Sequence, residues 1–67
     1  MNMSEIDWRY AAASDVVGPE FKVARFRNSY NNRWLVDKLH GVIINEDGAI
    51  WLDSRGHMWE ECQVRSG

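Results

Sequence analysis

Short runs of alternating apolar and polar residues cover most of this chain, and turn-forming residues separate them. The clearest region is 41–64, where the segments Asn45–Gly48 and Ser54–Gly56 divide three apolar runs. Alternating runs joined by short loops that end in glycine are typical of antiparallel hairpins. This region therefore predicts a three-stranded meander with strands at about 41–45, 49–53 and 57–64.

Two further strands and one helix are predicted upstream of the meander. Residues 20–27 and 33–39 alternate in polarity and flank a polar loop, which predicts another pair of strands. Residues 4–17 begin with an N-capping serine and contain three consecutive alanines, so they predict a short helix. A strand through Trp8 and Tyr10 also fits the alternation.

The order of these elements predicts an α+β fold that is mainly β. A short N-terminal helix precedes a five-stranded antiparallel meander, which forms a strongly bent sheet or an SH3-like small barrel. A chain of 67 residues is expected to form a single domain spanning 1–67.

The meander also predicts a row of large side chains. If each glycine ends a three-residue loop, Ile43 lies opposite Trp51, and Trp51 lies opposite Trp59. These three residues then share one face, with Glu61 beside them. Two tryptophans in a row are unusual on a solvated face, so we expect a cover. The N-terminal helix, another protein or a second copy of the chain, as a homodimer, would supply it.

The charge pattern suggests a second surface. The net charge is −2, yet residues 20–38 contain five basic and two acidic residues. Arginines bind phosphates and aromatic rings stack on unpaired bases, so single-stranded DNA or RNA is an alternative ligand. The acidic whole chain counts against that ligand. The candidate residues are Arg25, Arg27, Tyr30, Arg33 and Trp34.

Residue types that support catalysis or metal binding are sparse. His57 and Cys62 are five positions apart, which places them on opposite faces of one strand, and the Cys and His spacings of zinc sites are missing. Asp53 and His57 face each other across the second hairpin and are expected to stabilise its turn. Cys62 falls at a core position, where thiols are usually unreactive. We therefore expect no metal, no other cofactor and no enzymatic activity.

The remaining features favour a small intracellular binding protein. One cysteine permits no internal disulfide, and no apolar run is long enough to cross a membrane, so a cytoplasmic location is expected. The sequence thus predicts a non-enzymatic protein-binding module, an adaptor or inhibitor that regulates a larger assembly. Its small size would suit a protein encoded by a phage or another mobile element.

Overall fold

The computed structural model of the protein describes residues 7–18 and 20–65, and within these ranges the fold is mainly β. Seven strands of this part form two antiparallel sheets, and a 3₁₀ helix spans Ala13–Val16. The strands are β1 (Trp8–Tyr10), β2 (Val23–Arg27), β3 (Leu35–Lys38), β4 (Gly41–Asn45), β5 (Gly48–Leu52), β6 (Met58–Trp59) and β7 (Glu61–Arg65).

The strands are not ordered as one meander. The first sheet has the order β1-β7-β2-β3 and the second has the order β4-β5-β6. Over the described residues the two sheets do not close into a barrel. The antiparallel, mainly β prediction is confirmed, whereas the five-stranded meander is wrong, because β7 leaves the last hairpin and pairs with β1 and β2.

The predicted N-terminal helix is also wrong over the residues that the structure describes. Trp8–Tyr10 is β1, which pairs with β7 and places Trp8 opposite Arg65. These residues therefore form a strand, as the alternation of Trp8 and Tyr10 allowed, because β7 provides a partner strand for them. The alanine-rich segment contributes only the 3₁₀ turn, and residues 4–6 of the predicted helix lie outside the described residues.

The predicted strand bounds agree best in the second sheet. β4 spans the predicted 41–45, whereas the predicted strand 57–64 is divided at Glu60 into β6 and β7. The Glu60 backbone N–H donates to the Asn28 side chain at 2.8 Å, and the Glu60 carboxylate accepts the Ser29 N–H at 2.7 Å. These bonds anchor the point at which the chain passes from one sheet to the other.

The first hairpin is shifted by one residue from its predicted register. Its loop contains two residues rather than three, so Ile43 pairs with Ile50 and the predicted pairing with Trp51 is wrong. The second hairpin is confirmed, because Trp51 pairs with Trp59. A shift of one residue turns every side chain of β4 to the other face. Ile43 therefore lies on the opposite face of the sheet from the two tryptophans.

The core lies between the sheets and contains side chains from both. β2 and β7 contribute four buried residues of the first sheet, and β5 contributes Trp51, which is 8% exposed. Half-buried side chains of the 3₁₀ turn, β4 and β6 pack around them. The buried apolar residues are Ala24, Phe26, Leu39, Trp51, Cys62 and Val64.

A buried carboxylate fixes the turn after β1. Asp15 is 3% exposed and accepts hydrogen bonds from Arg9 Nη2 at 2.7 Å, Lys22 Nζ at 2.8 Å and the Ala12 N–H at 2.7 Å. The hydrogen bonds from Arg9 lower the pKa of Asp15 far below its ordinary value, against the opposing effect of burial. Asp15 thereby joins β1, the 3₁₀ turn and the segment before β2.

A second buried carboxylate organises the hairpin between β5 and β6. Asp53 Oδ1 accepts the backbone N–H groups of Arg55 at 2.9 Å and His57 at 3.0 Å, while Oδ2 accepts Trp59 Nε1–H at 3.0 Å. Asp53 thus stabilises the turn through the backbone of His57. Burial raises the pKa of Asp53, but the hydrogen bonds from Trp59 and the backbone outweigh it, and the net shift is downward.

Candidate functional site

The four residues predicted to bind a protein do not form one surface. Trp51 is in the core, and Trp59 is half-buried with its indole N–H bonded to Asp53. Ile43 lies on the outer face of the second sheet, whereas Glu61 lies on β7 of the first sheet. The core itself covers the tryptophans that the sequence predicted to need a partner.

The outer face of the first sheet contains a different group of side chains. Alternation along each strand turns Ala24, Phe26, Cys62 and Val64 into the core and their neighbours outward. β1 adds two aromatic rings to this outward face, and Trp34 stands immediately before β3. We call this surface the arginine–tryptophan face; its members are Trp8, Tyr10, Val23, Arg25, Arg27, Trp34, Val36, Lys38, Glu61, Gln63 and Arg65.

Guanidinium groups and indole rings are stacked in sequence across this face. The Arg25 Cζ lies 4.8 Å from the ring centroid of Trp8 and 4.3 Å from that of Trp34. The Arg27 Cζ lies 4.2 Å from the Trp34 centroid. Cation–π contacts of this length hold both arginine side chains over the sheet, which reduces the conformational freedom that a ligand would have to remove.

Side chains of β7 fix the orientation of the two arginines. Arg25 donates from Nε to Gln63 Oε1 at 2.8 Å, and its Nη2 donates to the same oxygen. Arg27 donates from Nε and Nη2 to the two Glu61 carboxylate oxygens at 3.1 and 3.2 Å. The hydrogen bonds that Arg27 donates to Glu61 raise the pKa of Arg27, so this group stays charged. Within the described residues Nη1 of each arginine makes no hydrogen bond, which leaves one donor group per side chain for a ligand.

The arginine–tryptophan face is cationic although the chain is acidic. Among its described members, Arg25, Arg27, Lys38 and Arg65 are cationic, and Glu61 is anionic. Apolar surface is exposed beside these charges, because Tyr10 is 65% exposed and Val36 is 62% exposed. The face therefore combines positive charge with accessible rings on an open sheet.

The sequence predicted part of this site. Arg25, Arg27 and Trp34 were predicted to act together, and the structure brings them into contact. Tyr30 and Arg33 lie in the loop between β2 and β3, where the Tyr30 hydroxyl accepts Asn28 Nδ2–H at 3.2 Å. No described contact joins these two side chains to the stacked groups.

The structure adds residues that the sequence did not assign to this site. Trp8, Tyr10 and Gln63 belong to the face only because β1 and β7 pair across the length of the chain. The alternation of Trp8 and Tyr10 was the available signal. No comparable signal marked Gln63, because the residue that it contacts, Arg25, is 38 positions away in the chain.

Other kinds of site find no support among the described residues. No group of three His, Cys, Asp or Glu side chains could hold a metal ion there, and no ligand-sized pocket is present. Burial raises the pKa of the Cys62 thiol to about 12, so it is protonated and unreactive in the folded protein. No helix in the described ranges is long and apolar enough to cross a membrane.

Comparison with protein-family models, with curated proteins and with solved structures found no match for this chain. The arginine–tryptophan face concentrates the features that distinguish a binding surface from an ordinary solvated sheet. These features are cationic groups of fixed orientation, two half-buried indole rings, an exposed tyrosine ring and an open shape.

Proposed function

We propose that this protein binds single-stranded nucleic acid on the arginine–tryptophan face. The observation that carries the proposal is the Trp8–Arg25–Trp34–Arg27 stack on the outer side of an open sheet. Proteins that bind single strands combine cationic groups for the backbone with aromatic side chains for the bases. Both parts occur here within one sheet.

Each part of the face has a distinct role in this proposal. The Nη1 groups of Arg25 and Arg27 donate to phosphate oxygens, while Nε and Nη2 of each side chain remain bonded to β7. The exposed ring of Tyr10 stacks on a base, while Trp8 and Trp34 hold the two arginines in place beside it. Stacking requires bases that are not already paired within a duplex, so a single strand is the expected ligand.

The acidity of the whole chain is compatible with this proposal because the charges are segregated. Asp15 and Asp53 are buried and accept several hydrogen bonds each, so they contribute little field at the surface. Glu46 and Asp47 form the turn between β4 and β5, in the other sheet. The local charge of the face, rather than the net charge, determines the attraction of phosphates.

The test is titration of a fluorescein-labelled single-stranded oligonucleotide of random sequence, followed by fluorescence anisotropy at several salt concentrations. The logarithm of the binding constant should fall linearly as the logarithm of the salt concentration rises, with a slope near −0.7 for each phosphate contact. R27A should lower the affinity by about tenfold. Its salt slope should be shallower by the amount that one phosphate contact contributes. R55A is the matched control, because it removes an arginine that is 72% exposed in a hairpin of the second sheet.

The outcomes separate binding from folding. R27A should lower the melting temperature only modestly, because the Arg27–Glu61 pair is still 27% and 28% exposed to water and such pairs contribute little to stability. No salt-sensitive binding by the wild-type protein would refute the proposal. Equal loss of affinity in R27A and R55A would indicate binding through net charge instead of this face.

Regulation of another protein is a second candidate, and one observation favours it. The outer face of the second sheet carries a group of aliphatic side chains along β4, β5 and β6, and two are well exposed: Ile43 at 47% and Met58 at 60%. Exposed aliphatic residues on one sheet face are typical of protein interfaces. An adaptor or inhibitor in the cytoplasm could use this surface, and M58K should then abolish partner binding without changing oligonucleotide binding.

A further inference from the structure

One row of the arginine–tryptophan face places three different functional groups side by side. Tyr10 pairs with Gln63 across β1 and β7, and Gln63 pairs with Arg25 across β7 and β2. Neighbouring strands are about 4.8 Å apart, which separates the Cα atoms of Tyr10 and Arg25 by about 10 Å. One nucleotide can span this distance from its phosphate to its base. Gln63 then lies midway, at the level of the sugar, when the phosphate contacts Arg25 and the base stacks on Tyr10.

The Gln63 amide is held in one orientation. Arg25 donates to Oε1 from Nε at 2.8 Å and also from Nη2. A guanidinium has only donors, so the oxygen of the amide has to face it. The NH₂ group is on the other side of Cδ and therefore does not face Arg25. The side chain is 9% exposed, so little room remains for the amide to rotate.

The Nε2 atom of Gln63 keeps its capacity to donate. Within residues 7–18 and 20–65 it makes no hydrogen bond. Every buried side-chain N or O atom of these ranges has a partner, so Nε2 belongs to the accessible part of the residue. A donor of fixed orientation that borders solvent can bind an acceptor on a ligand without first losing a bond to the protein.

We propose that Gln63 distinguishes RNA from DNA by donating from Nε2 to the 2′-hydroxyl oxygen of the nucleotide bound between Tyr10 and Arg25. This inference rests on the proposed function and narrows its ligand to single-stranded RNA. The 2′-hydroxyl is the sugar group that separates the two nucleic acids. Deoxyribose has no acceptor at that carbon, so Nε2 loses its hydration without gaining a partner. One such bond should make RNA bind about fivefold more tightly than DNA of the same sequence.

Fluorescence anisotropy with three labelled ligands tests the inference on the unmodified protein. Oligouridine, oligodeoxyuridine and 2′-fluoro-oligouridine of equal length have the same base and differ only at the 2′ carbon. Oligouridine should bind about fivefold more tightly than the other two. The fluoro ligand controls for sugar conformation, because it keeps the ribose pucker while fluorine is a poor hydrogen-bond acceptor. A fluoro ligand that binds as tightly as oligouridine would overturn the inference, because the pucker would then account for the preference.

The variant Q63E tests whether Gln63 supplies the donor. A carboxylate still accepts from Arg25 but has no N–H. Its charge should weaken the binding of all three ligands, so the quantity to compare is the ratio of the RNA and DNA affinities. This ratio should fall from about five to about one. N45D is the matched control: it makes the same amide-to-carboxylate change in an exposed residue of β4, in the second sheet, and should keep the ratio of the wild type.

The outcomes separate this inference from the proposed function. Equal, salt-sensitive binding of all three ligands by the wild type would overturn the role of Gln63 and leave single-strand binding in place. An RNA preference that persists in Q63E would also overturn it. No binding of any ligand would refute the proposed function and this inference with it.

Discussion

The hairpin between β5 and β6 should depend on one buried carboxylate more than on its apolar contacts. Asp53 is fully buried and accepts three hydrogen bonds, two on Oδ1 and one on Oδ2. D53N preserves the shape of the side chain but replaces one oxygen with an NH₂ group. Whichever way the amide turns, at least one donor then faces another donor.

The expected loss of stability in D53N follows from the number of these hydrogen bonds that an amide can replace. The amide should keep its oxygen toward the two backbone N–H groups and turn its NH₂ toward Trp59 Nε1–H. This arrangement loses one charge-assisted bond and weakens two others to neutral bonds, a cost of about 3 kcal/mol in the free energy of unfolding. For a domain of this size, each kcal/mol lowers the melting temperature by about 4–8 °C. D53N should therefore melt at a much lower temperature than the wild type.

The assay is thermal and urea unfolding followed by far-UV circular dichroism, for a double-mutant cycle with W59F. Because W59F removes the indole N–H, the amide that D53N introduces no longer opposes a donor in the double variant. The double variant should thus lose at least about 1 kcal/mol less than the sum of the single variants. D47N, which makes the same chemical change in the exposed turn after β4, is the control and should be nearly neutral. Additive losses, or a D53N variant as stable as D47N, would refute the reasoning.

Three further predictions concern other buried or paired groups. The pKa of Asp15 is lower in the folded protein than in the unfolded chain, so the stability that its ionised carboxylate contributes should be complete above about pH 4 and should decrease as the pH falls. Urea unfolding should therefore show a difference in stability between the wild type and D15N that becomes smaller in acid. Cys62 should resist a thiol reagent in the native protein and react at the rate of unfolding, and rapid labelling would contradict its burial. E61Q removes the anion but keeps an amide oxygen that can accept from Arg27, so oligonucleotide affinity should rise and its salt slope should steepen; weaker binding would mean that only the charged carboxylate holds Arg27 in its binding orientation.

Local sequence patterns predicted the individual strands better than their partners. β4 and the pairing of Trp51 with Trp59 could be predicted because both depend on alternation and on a glycine turn nearby. The register of the first hairpin could not, because its turn sequence fits loops of two or three residues equally well. One residue of difference moved Ile43 to the face opposite the tryptophans and brought Val42 beside Trp51.

Long-range pairing explains what the sequence could not predict about the site. Arg25, Arg27 and Trp34 are close in the chain, so their proximity could be inferred from a strand and its loop. Trp8 joins them only through β7, which is more than 50 positions further along the chain. Alternation gives the face on which a side chain lies, but it does not identify a distant neighbouring strand.

The position of β7 between β1 and β2 has a consequence for synthesis of the protein on the ribosome. Residues 61–65 supply the partner of both strands, yet they are among the last described residues to be translated. The first sheet cannot assemble while this segment is still inside the exit tunnel. The nascent chain must therefore carry β1 and β2 without their shared partner until translation has passed β7.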